Sequence, residues 1–192
     1  MSNTRGGGLF ADRPGEDGLP LDAAPYDAIG HRAVWSDDMR HRFILWRDWG
    51  PKCLRNFVQV IGLNPSTATE EENDPTLRRV IAFAKREGAA GLVMTNRFSF
   101  RSTNPNALYE MLAEQHRLKE NDRFLRDVAK YARLRIAAWG THGDCLGRAA
   151  AVVKMMEQDG RALHCLGRNK DGSPRHPLYV PANQRLELFL ET

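Results

Sequence analysis

Four short apolar segments in this chain each run directly into a polar loop, and this repeated pattern restricts the fold more than any other feature. The segments are 57–61 (FVQVI), 91–95 (GLVMT), 134–139 (LRIAAW) and 162–166 (ALHCL). Because they are apolar without clear alternation, they are typical of strands covered on both faces. Helical patterns alternate with them along the chain. We therefore predict a three-layer α/β/α domain with a mainly parallel four-stranded central sheet.

The segments between these strands carry signals for the ends of helices. Asp74 is a suitable N-cap residue, Pro75 fits the first helical turn, and Gly88 is a suitable C-cap residue. Two further helices are predicted over residues 118–131 and 147–158. The alternation of strands and helices thus extends over most of the chain.

The length of 192 residues predicts one ordinary domain preceded by a tail. Residues 1–30 are rich in Gly, Pro, Asp and Ala and show little periodicity, which predicts a flexible segment outside the fold. Residues 31–192 are predicted to form a single α/β domain. This domain has an early strand at 41–46 (HRFILW).

Composition and motifs indicate which partners and cofactors to expect. A net charge of +4 and a pI near 9.1 tilt the expectation towards nucleic acid or nucleotides. No apolar run approaches the roughly 20 residues needed to span a bilayer, and no signal-peptide pattern occurs, so we expect a cytoplasmic protein with no membrane partner. The three cysteines are widely spaced, which indicates no metal site. Neither a Rossmann glycine motif nor a Walker A motif is present, and we expect no cofactor.

Right-handed crossovers place the carboxyl ends of parallel strands at one edge of the sheet, where ligands of open α/β sheets bind. The loops that meet at this predicted edge are those around Asn64, Asn96, Thr141 and His176. A binding site built from these loops is therefore expected.

Each of the central polar residues has both a functional and a structural interpretation. Asn64 could aim its amide at a ligand, or it could belong to a plain Asn-Pro turn. The amide of Asn96 complements a nucleobase edge, or it could satisfy loop backbone groups. His176 could donate a hydrogen bond to a developing negative charge, or it could be a solvated loop residue. The basic loop residues Arg168, Lys170 and Arg175 suit phosphate contacts, or they could simply face solvent.

Five segments resemble a bacterial and phage family known as domain of unknown function 1643. They are IGLNPSTA (61–68), NDPTLRRVIAFAKREG (73–88), NRFSFRST (96–103), AAWGTHG (137–143) and CLGRNKDGSPRHPLYVP (165–181). The order of four shorter motifs, GLNPS, LVMTN, AAWG and RHPLY, resembles more distantly the uracil-DNA glycosylase superfamily, which carries GQDPY or GINPG, a base-reading Asn, Trp-Gly and HPSP at the same places.

The glycosylase resemblance implies roles for the matching residues. Asn64 would position an attacking water, Asn96 would read the base, and His176 would stabilise charge on the departing base. Gly62, Ser66 and Phe98 are the further expected base-binding residues. The expected phosphate or nucleic-acid contacts are Arg101, Thr141, His142, Arg168, Lys170 and Arg175.

The sequence departs from the glycosylase pattern at several positions. Ser66 replaces the Tyr or Gly of the first motif, and HPLY lacks the Ser-Pro of HPSP. An acidic run at Glu70–Glu72 and Asp74 lies near the expected DNA face, where like charge is unfavourable. Asn64 is a poor general base because an amide does not take up a proton near neutral pH.

Three functions are consistent with these residues. The first is an enzyme that hydrolyses an N-glycosidic bond in nucleic acid or a nucleotide, and the second is a module that binds nucleic acid or nucleotides without catalysis. The third is an α/β enzyme acting on a small phosphorylated metabolite. The first two require Asn64, Asn96 and His176 to share one pocket. The sequence leaves open which base or sugar would be recognised.

Overall fold

The computed structural model describes residues 32–49, 56–69, 71–142 and 145–190. The predicted tail over residues 1–30 lies outside these ranges, as do Cys53 and Glu70.

Seven strands form one mixed sheet, in the order β1-β2-β4-β3-β5-β6-β7. They are β1 (Arg32–Trp35), β2 (Arg42–Asp48), β3 (Phe57–Gly62), β4 (Gly91–Asn96), β5 (Leu134–Ala137), β6 (Leu163–Cys165) and β7 (Glu187–Leu190). The pairs β4–β3, β3–β5 and β5–β6 are parallel. The pairs β1–β2, β2–β4 and β6–β7 are antiparallel.

The prediction of a four-stranded, mainly parallel sheet is therefore wrong, although the four predicted core strands do form a parallel block. Three strands flank that block, and each pairs in the antiparallel sense. Two of them, β1 and β7, are only four residues long and partly exposed, so each is shorter than the apolar runs that indicate a buried strand. The segment 41–46 was predicted as a strand, but its direction depends on pairing with β4, which the local sequence does not encode.

The described residues form four α-helices. They are α1 (Pro75–Arg86), α2 (Ala107–Glu110), α3 (Leu118–Tyr131) and α4 (Arg148–Gln158). Three of them, α1, α3 and α4, cover the faces of the sheet. Helix α1 packs on one face, where Leu77 and Val80 contact Val58, Val60 and Leu92 among other residues of one core cluster. Helices α3 and α4 pack on the opposite face through two other clusters. The layered α/β arrangement is confirmed. Among the described helices none is long and apolar enough to cross a membrane.

Helix α1 begins and ends as its sequence predicts. The Asp74 side chain accepts a hydrogen bond from the backbone N–H of Leu77 at 2.7 Å, and Pro75 occupies the first turn. Gly88, with φ of +74°, follows the last turn, where a side chain would be strained. The helix start is thereby fixed beside the carboxyl edge of the parallel strands.

The antiparallel direction of β2 brings its first residues to this same edge. The backbone N–H of Arg42 donates to Ser99 O at 2.8 Å, just beyond the end of β4. His41 and Phe100 form an isolated bridge at the same level. The edge therefore holds the last residues of four parallel strands and the first residue of β2.

Candidate ligand-binding site

One cavity of about 550 Å³ opens at the carboxyl edge of β3, β4 and β5, on the side of the sheet that α1 covers. This volume lies within the usual range for small-molecule sites. Eight of the residues predicted from the sequence line it: Gly62, Asn64, Ser66, Asn96, Thr141, His142, Arg175 and His176. The sheet thus brings together loops that are far apart along the chain.

The floor of the cavity contains Asn96, which is 2% exposed at the end of β4. Asn96 is paired in register with Gly62 on β3. A Cβ on residue 62 would lie 2.6 Å from Asn96 Oδ1, so only glycine leaves room for this amide. Asn96 Oδ1 has no hydrogen-bond partner among the described residues. A buried amide oxygen left in this state costs about 1–3 kcal/mol, which a ligand or water that donates a hydrogen bond would offset.

Asn64 joins two loops of the cavity wall. Its Nδ2 donates to Ser102 O at 2.8 Å, to Pro65 O at 3.1 Å and to Phe100 O at 3.4 Å. Main-chain bonds link the same two loops, from Arg97 N to Gly62 O and from other residues nearby. The N–H side of the Asn64 amide is therefore committed to structure, and only its oxygen remains for a ligand or a water.

His176 presents one ring nitrogen as a hydrogen-bond donor. Its Nδ1 accepts from the backbone N–H of Leu178 at 3.3 Å, which places the proton of the neutral ring on Nε2. Burial lowers the pKa of His176, a repulsion from His142 lowers it further, and Asp74 acts in the opposite direction. The neutral imidazole with Nε2–H is therefore the favoured form at neutral pH.

Three contacts hold the His176 loop over the end of β5. Gly140, with φ of +76°, lies so close that a Cβ there would be 3.2 Å from the Cβ of His176. Gly140 N donates to Pro174 O at 3.0 Å. From the other side, the Arg79 guanidinium on α1 donates to the backbone oxygens of Pro177, at 3.3 Å, and Val180. The imidazole is thus positioned by β5 and α1 together.

Phe98 does not line the cavity, although the sequence suggested it as a base-binding residue. It is fully buried and packs with Leu108 and Cys145. Its ring centroid lies 4.9 Å from that of His116. Phe98 therefore anchors the loop after β4 from behind and offers no stacking surface to a ligand.

Three of the six predicted phosphate-contacting residues also lie outside the cavity lining. Arg101 donates from Nε to Ser66 O at 3.2 Å. Arg168 donates to Phe189 O at 2.9 Å and also contacts β7 through the Phe189 ring. Lys170 is exposed on the same loop. Arg175, Thr141 and His142 do line the cavity, and Arg175 also donates from Nε to Arg168 O at 3.1 Å.

Arg42 and Asp74 are charged residues of the cavity lining to which the sequence assigned no ligand role. Arg42 is 3% exposed, and its Nη1 donates to Ala68 O. Burial lowers the pKa of Arg42 to about 10, while Asp74 acts to raise it, so the side chain is still a cation at neutral pH. An arginine directly before the apolar run Phe43–Trp46 was the signal available in the sequence.

Asp74 is the single carboxylate among the described residues of the lining. Glu71 and Glu72 are exposed and lie outside it. Glu70, the remaining member of the acidic run, is outside the described residues. Among the described residues of the acidic run, only Asp74 lines the cavity, together with the cations Arg42 and Arg175.

The described cysteines, Cys145 and Cys165, are buried and lie outside the cavity lining. Burial raises the pKa of Cys165 to about 11, so it remains protonated at neutral pH. In the part of the chain that the structure describes, no group of three or more His, Cys, Asp or Glu side chains could hold a metal ion.

The chain is a mixed α/β protein with a polar cavity at the carboxyl ends of its parallel strands, which is where open α/β sheets generally bind ligands. The chain belongs to the family described as protein of unknown function (DUF1643), whose model matches residues 42–178. This range begins at Arg42 and includes Gly62, Asn64, Asn96 and His176. No curated protein and no solved structure matched the chain.

Proposed function

We propose that the protein binds a nucleobase in this cavity and hydrolyses the N-glycosidic bond of a nucleotide or of nucleic acid. The observation that carries the proposal is that Asn64, Asn96 and His176 line one cavity. The order of the GLNPS, LVMTN, AAWG and RHPLY motifs, similar to that of uracil-DNA glycosylases, also favours it. We also propose that the protein acts in the cytoplasm.

The spacing of the strands suits a planar ring. Asn96 ends β4, and His176 packs over Gly140 beyond β5, with β3 between the two strands. Two strand intervals amount to about 10 Å. A six-membered ring with a hydrogen bond of roughly 3 Å at each of two opposite edges needs a similar span. Asn96 would then read one edge of the base, and the Nε2–H of His176 would donate to the other.

Hydrolysis breaks the bond between the base nitrogen and the anomeric carbon, and the electron pair leaves with the base. A neutral imidazole stabilises the resulting negative charge by donating a hydrogen bond. Water supplies the oxygen that bonds to the anomeric carbon, and solvent takes up the proton that this water releases. In this scheme Asn64 orients the water through its amide oxygen, because an amide accepts no proton near neutral pH.

Binding without hydrolysis is the second candidate, and the contacts of Asn64 favour it. Its Nδ2 is held by three backbone carbonyls, so the residue already has a structural task. Asp74 also caps α1 through Leu77 N. The one carboxylate in the described lining therefore already caps a helix, and no other carboxylate there could act as a general base.

Product analysis distinguishes the two candidates. Oligonucleotides and free nucleotides with ordinary, deaminated and modified bases would be incubated with the protein, and released base would be measured by chromatography. The variants are His176→Ala, Asn96→Ala and Asn64→Ala. His164→Gln, a half-buried histidine on β6 outside the cavity lining, is the matched control.

We expect free base from at least one substrate, with a rate about 10²–10³ lower in His176→Ala and unchanged in His164→Gln. Equal rates in all variants would reject the assigned roles. Base-dependent binding that disappears in Asn96→Ala, without any product, would support the binding module. If no nucleobase compound binds or reacts, both candidates are rejected.

A further inference from the structure

Arg42 is a buried cation on the β2 side of the cavity, next to the strand that carries Asn96. The nitrogen Nε of its guanidinium has no hydrogen-bond partner among the described residues. Its Nη1 donates to Ala68 O, and the guanidinium lies 5.6 Å from the centroid of the Trp35 ring. The side chain is therefore held in place while part of its donor capacity is unused.

The charges around Arg42 leave a positive excess. Within the described chain no carboxylate lies within ion-pair distance of Arg42, and Asp74 acts on it only at longer range. The guanidinium of Arg101 also contacts the Trp35 ring and lies 5.5 Å from the ring centroid. Arg175 is a second cation in the cavity lining. A buried cation without an ion-pair partner is unfavourable, and an anion brought by a ligand would offset that penalty.

The cavity volume of about 550 Å³ is typical of sites that hold drug-sized ligands, which are larger than a single base. Four residues of the lining are Arg42 and Leu45 on β2, Met94 on β4, and Ala68. The guanidinium of Arg42 is the one charged group among these four side chains, so a ligand group that reaches it would meet a strong, localised donor.

We propose that Arg42 forms an oxyanion subsite, so that the ligand of this cavity is a nucleobase compound carrying a negatively charged oxygen group. This inference rests on the proposed nucleobase site and names its substrate class. The oxyanion can be the phosphate of a nucleotide or a carboxylate attached to the base. A charge-assisted hydrogen bond to Arg42 is expected to strengthen binding by about 10- to 100-fold.

Calorimetric titration of the full chain tests the subsite with matched pairs of ligands. One arm compares the ordinary ribonucleosides with their 5′-monophosphates. A second arm compares pyrimidine nucleosides with and without a carboxylate on carbon 5 of the base. Inorganic phosphate and ribose 5-phosphate, followed by thermal shift, test the anion without a base.

The variants are Arg42→Gln, which removes the charge, and Arg42→Lys, which keeps it in case the first variant folds poorly. Arg47→Lys is the control, since Arg47 is equally buried on β2 but donates to Trp46 O, Asn73 Oδ1 and neighbouring groups outside the cavity lining. In at least one of the two matched comparisons, we expect the charged ligand to bind at least tenfold tighter than its uncharged partner. This ratio should fall to near one in Arg42→Gln, fall only partly in Arg42→Lys and persist in Arg47→Lys.

The outcomes separate this inference from the proposed function. If nucleosides bind but neither the phosphate nor the carboxylate adds affinity, the oxyanion subsite is wrong and the nucleobase site stands. If phosphate compounds bind through Arg42 while no nucleoside does, the subsite stands and the nucleobase function fails. An unchanged ratio in Arg42→Gln, or no binding of any of these ligands to the wild-type chain, overturns the inference.

Discussion

Replacing Gly62 with alanine tests whether the cavity floor is built around the Asn96 amide. The new Cβ would lie 2.6 Å from Asn96 Oδ1 and 2.6 Å from Met94 Cε. Ordinary contact begins near 3.4 Å, so each atom must withdraw by about 0.8 Å. The tip of Met94 is flexible, whereas Asn96 is 2% exposed and its backbone oxygen is held by Asn121 Nδ2 at 3.0 Å.

A shift of this size lengthens a hydrogen bond from about 2.9 Å to about 3.7 Å, which breaks it. We therefore expect Gly62→Ala to weaken nucleoside binding about 5- to 150-fold, the equivalent of 1–3 kcal/mol for an unsatisfied polar group. Overpacking should lower the free energy of unfolding by about 1–3 kcal/mol. The removal of a strand glycine alone would instead raise it by about 0.5–1 kcal/mol.

Calorimetric titration and urea unfolding of Gly62→Ala, Asn96→Ala and the double variant measure both effects. Because the methyl group acts through the amide, the double variant should bind no more weakly than Asn96→Ala. Gly62→Ala/Met94→Ala removes the second clash and should still bind poorly. Wild-type affinity in Gly62→Ala would refute the reasoning, and so would effects of the two single variants that simply add.

Three further predictions concern the supports of the site and its pH dependence. Asn121→Leu removes the side-chain donor to Asn96 O, whereas Arg97 O keeps its hydrogen bond from Arg148 Nε at 2.8 Å, so the free energy of unfolding in urea should fall by about 1–3 kcal/mol. Arg79→Met removes the donors to Pro177 O and Val180 O, and faster amide hydrogen exchange over residues 176–180 should follow while exchange in β3 is unchanged. Burial lowers the pKa of four histidines. Below pH about 6.5 the unfolded chain therefore binds more protons than the folded chain. The free energy of unfolding should consequently fall as the pH drops from about 6.5 through the pKa values of the folded state. Urea unfolding between pH 7.5 and 5 should show this loss, and His116→Phe, at a fully buried position, should make it shallower; an unchanged profile would contradict the role of that ring. The four histidines are His41, His116, His164 and His176.

The local sequence was sufficient to predict helix boundaries, because helical spacing and capping residues are local signals. The α3 boundaries predicted from helical spacing, 118–131, are those observed. The capping signals of Asp74 and Pro75 also gave the start of α1. In contrast, β7 has two exposed and two half-buried residues and is a strand because β6 offers it an edge. Such pairing is decided by tertiary structure, which no local pattern contains.

The same distinction explains which parts of the site could be predicted. Asn64, Asn96 and His176 follow parallel strands, so the rule about carboxyl ends places their loops at one edge. That rule does not apply to Arg42, because β2 is antiparallel and contributes its first residue to the same edge. Phe98 lies on the correct loop, but its side chain points into the core. Loop position was predictable, whereas strand direction and side-chain direction were not.

The arginine contacts also bear on whether a free nucleotide or duplex DNA is the better partner. The net charge of +4 suggested a polyanion, yet many arginines donate to carbonyls of their own chain. Arg79, Arg86 and Arg168 hold the C-terminal segments in this way. A guanidinium engaged with backbone oxygens has fewer donors left for phosphates along a duplex. Arg42 also donates to a backbone oxygen, Ala68 O, but its Nε has no partner among the described residues and the side chain lines the cavity, where we propose that a single oxyanion meets it. The distribution of donors therefore favours a compact anionic nucleotide or modified base over extended backbone contacts.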